Sequence, residues 1–481
     1  MSLDPKWKPM RWRWKDPALL TLLDGTGVNC LVVDWAAGSE ADAAQQAGLK
    51  ALIDAGRRKG IGFVGRVTAK EGLAAIAAAG KAAGLEALLA PGPVTESLAL
   101  PAIALFSRDD VDWDQLTETF AVNGNVWPGA VVHRFRMQNA ANPEPPSTPP
   151  AEPAGPTSDP WVASNGWLSL LARSMAPGKT LWLEFEPKEA AKMLPAEQYC
   201  LAVADARASG CRWIIDLDEA MRTALAAQAP QAVSAWRQIA AMDAFFDRHA
   251  QWTEAPSPGV LAVVSDFSAA NAAMSNEVLN LLQRQHMPFD AIDRRRPLAA
   301  RIASARAVLW VDDAAPTPEQ HALLMQFVTG GGLVIAPQYW GPKGIASHQE
   351  DWLFGYDVYP VGKGRVVVAR DGFSDPYQLD RDTHNLVGHE HDPFRLFNPG
   401  TASCFLGREA AARKEIVQVL NYDAPQPVEY LTLWVRRSAS AATLWSAGES
   451  SALKCIVQDG GTSFDLPPVS VYYAVEIERQ A

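Results

Sequence analysis

Nothing in this 481-residue chain approaches the roughly 18 to 20 uninterrupted apolar residues of a membrane helix, so no membrane partner is expected. Basic charge is in short supply. The 43 Lys and Arg stand against 54 Asp and Glu, a formal net charge of -11, whereas a surface that neutralises a phosphate backbone needs a basic stripe. Nucleic acid is not expected either. The five cysteines, Cys30, Cys200, Cys211, Cys404 and Cys455, form no C-x-x-C pair, which leaves neither a zinc knuckle nor a redox couple. The opening Met1-Ser2-Leu3-Asp4-Pro5 lacks a basic region followed by an apolar one, so no signal peptide is read. Location stays open between the cytoplasm and an exported protein whose signal has been removed. With 48% hydrophobic and 20% charged residues the chain has the composition of a globular protein. Its abundance lies in tryptophan: 17, against 16 Phe and 9 Tyr.

At roughly 100–200 residues per domain the length predicts two to four domains. From Arg11 to about Trp252, β-rich runs alternate with Ala/Leu-rich helical stretches. Strands are expected at Arg11–Trp14, Cys30–Trp35, Ile61–Val67, Ala87–Ala90, Ala102–Ser107, Ala130–Arg134, Leu181–Glu186 and Arg212–Asp218. Eight strands in this span predict an N-terminal (β/α)₈ TIM barrel over residues 1–255. The eight prolines between Ala141 and Pro160 read as a loop over the barrel mouth or as a linker. After Pro256-Ser-Pro-Gly259 an apolar strand restarts the pattern. Residues 256–365 are expected to form a doubly wound α/β domain of class I amidotransferase-like shape, and 366–481 an antiparallel β-sandwich preceded by a linker.

Two motifs carry little chemistry. Gly60-Ile-Gly62-Phe-Val-Gly65 matches G-x-G-x-x-G, but its glycines follow a helix and enter a strand, the reverse of a dinucleotide fingerprint. No cofactor is expected. His384, His389, His391 and Asp392 sit close enough to ligate a metal, yet their spacing fits no zinc signature. They read as a polar interdomain loop, with no metal. The middle domain lacks an amidotransferase nucleophile, because no cysteine lies between Cys211 and Cys404.

The barrel mouth holds the strongest signal. Strand alternation sets Trp182, Glu184 and Glu186 on one face and Leu181, Leu183 and Phe185 on the other. The apolar set belongs against the helices, which leaves Glu184 and Glu186 inward near the C-terminal end of the strand. Asp216 and Asp218 repeat this on the eighth strand, and Asp34 precedes Trp35 on the second. Each could instead pair with Arg13, Arg66, Arg134 or Arg136. Two carboxyl groups are what glycosidic bond cleavage requires, and sugar rings stack on indole faces. Trp14, Trp35, Trp167 and Trp182, with His133 and Asn165, are the candidate substrate contacts.

Val260–Asp266, Ala307–Pro337 ending in Gly330-Gly-Gly-Leu-Val-Ile-Ala-Pro337, and Val417-Gln-Val-Leu-Asn-Tyr422, in this domain order, resemble the three-domain glycoside hydrolases of family 42, the β-galactosidase-like enzymes. The resemblance implies a β-linked saccharide substrate, a homo-oligomer formed through the middle domain, and catalytic glutamates ending the fourth and seventh strands. Glu184 or Glu186 matches on the seventh. On the fourth, Leu85-Glu-Ala-Leu-Leu-Ala-Pro-Gly92 lacks the family's Asn-Glu. Two functions are therefore expected as alternatives: a two-carboxylate glycoside hydrolase, or a carbohydrate-binding, catalytically degenerate relative.

Overall fold

The computed structural model describes residues 6–131, 161–187, 192–253, 259–409 and 414–479. Eight parallel strands run in chain order around a barrel: Pro9–Arg11, Cys30–Ala36, Gly62–Val67, Ala87–Pro91, Ala102–Ser107, Thr119–Asn123, Thr180–Leu183 and Arg212–Trp213. A parallel bridge between Met10 and Ile215 closes the ring, the Arg11 N–H donating to the Ile215 carbonyl at 2.8 Å. Alternation decides what each strand buries. Cys30, Val32, Val64, Leu89, Ile103, Ala121, Trp182 and Ile214 fill the barrel with Trp7, while Leu31, Val33, Phe63, Leu88, Phe120 and Leu183 face the helices.

The sixth strand differs from expectation. It is Thr119–Asn123, and Gly129–Val131 instead pairs antiparallel with Trp161–Ala163 in a two-stranded ribbon. The proline-rich segment between those two ribbon strands, and with it His133, Arg134 and Arg136, lies outside the described residues. The glycine motif has a packing cause. Gly60, at φ +75°, ends the helix Asp42–Arg58, and a Cβ at Gly62 or Gly65 would press into the indoles of Trp7 or Trp35.

A six-stranded sheet follows in the order Phe289–Asp293, Leu261–Ser265, Ala307–Trp310, Leu333–Ala336, Gly364–Ala369, Tyr356–Val361, all parallel except the last. Helix Ala269–Arg284 covers one face; Ala299–Ile302 and Pro318–Thr329 cover the other. Its fifth strand runs across residue 365 and enters through Gly364, where a methyl group would lie 2.1 Å from the Gly332 carbonyl oxygen and 2.3 Å from that of Val328. Backbone cannot yield as a side chain can. Gly364→Ala is expected to cost about 1–3 kcal/mol by urea denaturation, and a neutral result would contradict this packing.

The C-terminal part packs a four-stranded antiparallel sheet (Phe394–Phe397, Thr432–Val435, Gly461–Asp465, Ile456–Gln458) on a five-stranded one (Ala402–Glu409, Lys414–Asn421, Tyr472–Arg479, Ala439–Trp445, Ser450–Ala452). Phe394, Leu433 and Phe464 meet Val417, Val419 and Val475 between them. Buried polar groups tie the three parts together. Asp205 accepts from Ser164, Asn165 and Tyr422, Ser164 also reaches Gln283, and the Gln418 amide donates to the Ala208 carbonyl. Among the described residues no helix is long and apolar enough to cross a membrane.

Candidate active site

The polar mouth is built by one rule. Val32, Val64, Trp182 and Ile214 occupy the apolar barrel interior, and two residues further along the chain come Asp34 and Arg66, still on their strands, and Glu184 and Asp216, just past the ends of theirs. Arg11, which ends the first strand, and Arg13, two residues beyond it, complete the layer.

Every carboxylate in it meets an arginine. The Arg66 Nε and Nη2 donate to Glu184 Oε1 and Oε2 at 2.7 and 3.2 Å, a two-point clasp. Arg13 holds Asp216 the same way, Nη2 to Oδ2 at 2.6 Å and Nε to Oδ1 at 3.3 Å, and its Nη2 also donates to Glu186 Oε1 at 2.7 Å. Arg11 pairs with Asp34. The Arg11 guanidinium is almost wholly buried, and its Nη1 has no hydrogen-bond partner among the described residues.

Electrostatics separates the members. Burial pushes the Asp216 carboxyl above the usual carboxylate range, and the hydrogen bonds and charge of Arg13 only partly pull it back. Burial also disfavours the charged form of Arg13, but Asp216 and Glu186 outweigh it and raise its pKa. For Arg11 burial prevails over the attraction of Asp34, and its pKa falls. Asp216 is 4% exposed, whereas the Glu186 side chain is 66% exposed.

Asp34, Glu184, Glu186 and Asp216 thus come together with Arg13 and Arg66 of the expected alternatives. Arg11 was missed, although Arg11-Trp-Arg13-Trp14 shows the same alternation. Asp218 is a correction. It is fully buried on the helix side, where it caps Glu219–Ala226 through the Met221 N–H at 2.8 Å and accepts from the Tyr199 hydroxyl. The eighth strand ends at Trp213, and by Asp218 the chain has already turned into the helix Glu219–Ala226.

Among the described residues, the proposed sugar contacts Trp35, Trp167, Trp182 and Asn165 are packed inside the protein. Trp182 plugs the barrel at 1% exposure beside Trp7, and Trp35 is buried among the helices with its indole N–H toward the Ile76 carbonyl. Trp167 is buried on helix Gly166–Met175, and Trp14 lies half-buried and edge-on against Trp12. Asn165 is consumed by Asp205 and by both backbone polar groups of Val126. The tryptophans of the barrel mostly serve packing: of Trp12, Trp14, Trp35, Trp113, Trp127, Trp161, Trp167 and Trp182, at or near strand ends, Trp161 alone is exposed, and the Arg284 guanidinium stacks 3.8 Å from its ring. A cavity of about 740 Å³ lies apart from the mouth residues, lined by Arg173, Trp252, Asp290, Phe405 and Gln418.

No family model matches the chain, and no curated protein matches it by sequence. Solved structures do. The α-L-fucosidase isoenzyme 2 of Paenibacillus thiaminolyticus aligns with a TM-score of 0.58 at 10% identity, over 100% of this chain and 98% of its own. A β-galactosidase from Bacillus circulans sp. alkalophilus aligns at 0.44 and 10% identity, over 91% of this chain and 68% of its own. An exo-β-1,4-mannosidase from Opitutaceae bacterium strain TAV5 aligns at 0.46 and 11%, over 77% and 88%. Along its whole length the chain has a fold like that of the fucosidase, at 10% sequence identity.

Proposed function

We propose that the chain is a glycoside hydrolase whose working carboxyl groups are Asp216 and Glu186. The observation that carries this reading is their convergence on one nitrogen: Asp216 Oδ2 and Glu186 Oε1 both accept from Arg13 Nη2, at 2.6 and 2.7 Å. The two oxygens can be no farther apart than those legs laid end to end, which is short of the separation of about 6.5–9.5 Å in inverting glycosidases and favours a retaining pair. The environments of the two are unequal in the useful sense. Buried Asp216, with its raised pKa, suits the proton donor to the leaving oxygen, and exposed Glu186 suits the attack on the anomeric carbon. In the same scheme Glu186 is released by hydrolysis of the glycosyl ester, with Asp216 taking the proton from water. Arg13 Nη2 stands where the glycosidic oxygen has to enter, so its side chain, 30% exposed, must swing aside as substrate binds. The whole-length fold similarity to a fucosidase supports the assignment.

A second reading, a saccharide-binding barrel without turnover, is favoured by the fourth strand, which ends at Ala90-Pro91 with no carboxylate, and by the neutralising clasps on Asp34 and Glu184. A panel of α- and β-linked aryl glycosides, α-L-fucosides and β-galactosides among them, separates the two. Turnover is expected on at least one member. Calorimetric binding without turnover supports the second reading, and neither binding nor turnover overturns both.

A further inference from the structure

We propose that His384, His389 and Asp392 bind one divalent transition-metal ion of the imidazole-preferring class, at the junction between the middle sheet and the sandwich. Both histidines lie on helical turns, and Asp392 directly follows the second. His384 occupies the last turn of helix Pro376–Val387, Gly388 reverses the chain at φ +87°, and the 3₁₀ turn His389–His391 returns His389 to its side, the imidazole centroids 4.4 Å apart. One ligand atom from each residue lies within 4.8 Å of the others. His384 Nε2 stands 3.1 Å from Asp392 Oδ1, and His389 Nδ1 3.0 Å from Oδ2. Tetrahedral zinc, with bonds of about 2.0–2.1 Å, spaces its ligand atoms roughly 3.3 Å apart, so a small adjustment admits an ion.

A separate observation fixes which imidazole nitrogen is offered. The Gln285 amide nitrogen donates to Asp380, which turns Gln285 Oε1 toward His384 Nδ1 at 3.2 Å. With Nδ1 turned to a carbonyl acceptor, Nε2, which faces the Asp392 carboxylate at 3.1 Å, is the nitrogen offered to an ion. A ring N–H held by a neighbouring carbonyl is also how metal-bound histidines are oriented. His391 stands outside this cluster of ligand atoms, and its Nε2 accepts from Arg306 at 3.0 Å. The charge of Arg395 opposes a cation, but it is engaged on Asp392 Oδ2, leaving Oδ1 toward His384. His389 is exposed and gives the ion a route from solvent.

The test is calorimetric titration of Zn²⁺ into EDTA-treated, dialysed full-length protein, with Co²⁺ absorption reporting coordination. Wild type should take up one ion per chain with visible d–d bands of a low-coordinate site. His389→Ala, an exposed substitution whose folding is checked by circular dichroism, and Asp392→Asn should lose it. Gln285→Ala should weaken it about 10- to 100-fold. Absence of binding in wild type, or binding that both His389→Ala and Asp392→Asn leave unchanged, overturns the proposal.

Discussion

Asp205→Ala is expected to lower the unfolding free energy by about 3–5 kcal/mol, the cost of removing one partner from a buried charged network. Asp205 is wholly buried on helix Ala196–Ala208 and accepts four hydrogen bonds: from the Tyr422 hydroxyl at 2.7 Å, the Ser164 hydroxyl at 2.8 Å, and the Asn165 backbone and side-chain amides at 3.0 Å each. Burial drives its pKa up, and these donors offset that only in part. Alanine strands them away from water. Tyr422→Phe leaves Asp205 its other three donors, so it is the milder change, at about 1.5–3 kcal/mol for one hydrogen bond to a charged group. Because Asp205 belongs to the barrel, Tyr422 to the sandwich and Gln283, which Ser164 also reaches, to the middle helix, Asp205→Ala should in addition broaden the urea transition as the parts lose cooperativity. A loss below about 1 kcal/mol would show that the junction rests on its apolar contacts alone.

Asp216→Asn is expected to reduce hydrolysis of a poorly activated aryl glycoside by about 10²- to 10⁴-fold, the usual contribution of a general acid. The loss should be much smaller with a dinitrophenyl leaving group, which departs without a proton; a purely structural role for Asp216 would depress both substrates alike. The pH profile gives an independent sign. A carboxyl whose pKa is raised in the folded protein serves as the acid below that pKa, and its contribution fades as pH rises through it, so the alkaline limb of wild type should vanish in Asp216→Asn. Glu186→Gln should abolish turnover with either leaving group, whereas Glu184→Gln, which loosens only the Arg66 clasp, should retain most of it. Loss in Glu184→Gln with full activity in Glu186→Gln would defeat the assignment of the pair.

Local patterns carried much of the architecture. Thr317-Pro-Glu-Gln320 writes its own helix start, and the structure shows the capping box, with the Thr317 N–H donating to Gln320 Oε1 and the Gln320 N–H to the Thr317 hydroxyl. The alternation in Leu181-Trp-Leu-Glu184 states which side chains enter the barrel, because a strand has only two faces. The sixth strand went astray for the converse reason: Thr119–Asn123 and Ala130–Arg134 are both short apolar runs, and what distinguishes them is the neighbours they find, Ala102–Ser107 and Thr180–Leu183 in one case and Trp161–Ala163 in the other.

By itself, then, the sequence determined the periodicities: a barrel followed by a mixed sheet and antiparallel strands, and a set of acids two residues beyond apolar core positions. Only the tertiary structure decided which acids share a partner. Arg13 and Asp216 are 203 residues apart, Arg66 and Glu184 118, and closure of the ring is what brings each pair within hydrogen-bond range. It also decided the tryptophans. An indole at a strand end reads identically whether it faces a cleft or a neighbouring helix, and burial of its large apolar surface favours the interior wherever closure leaves a space that size.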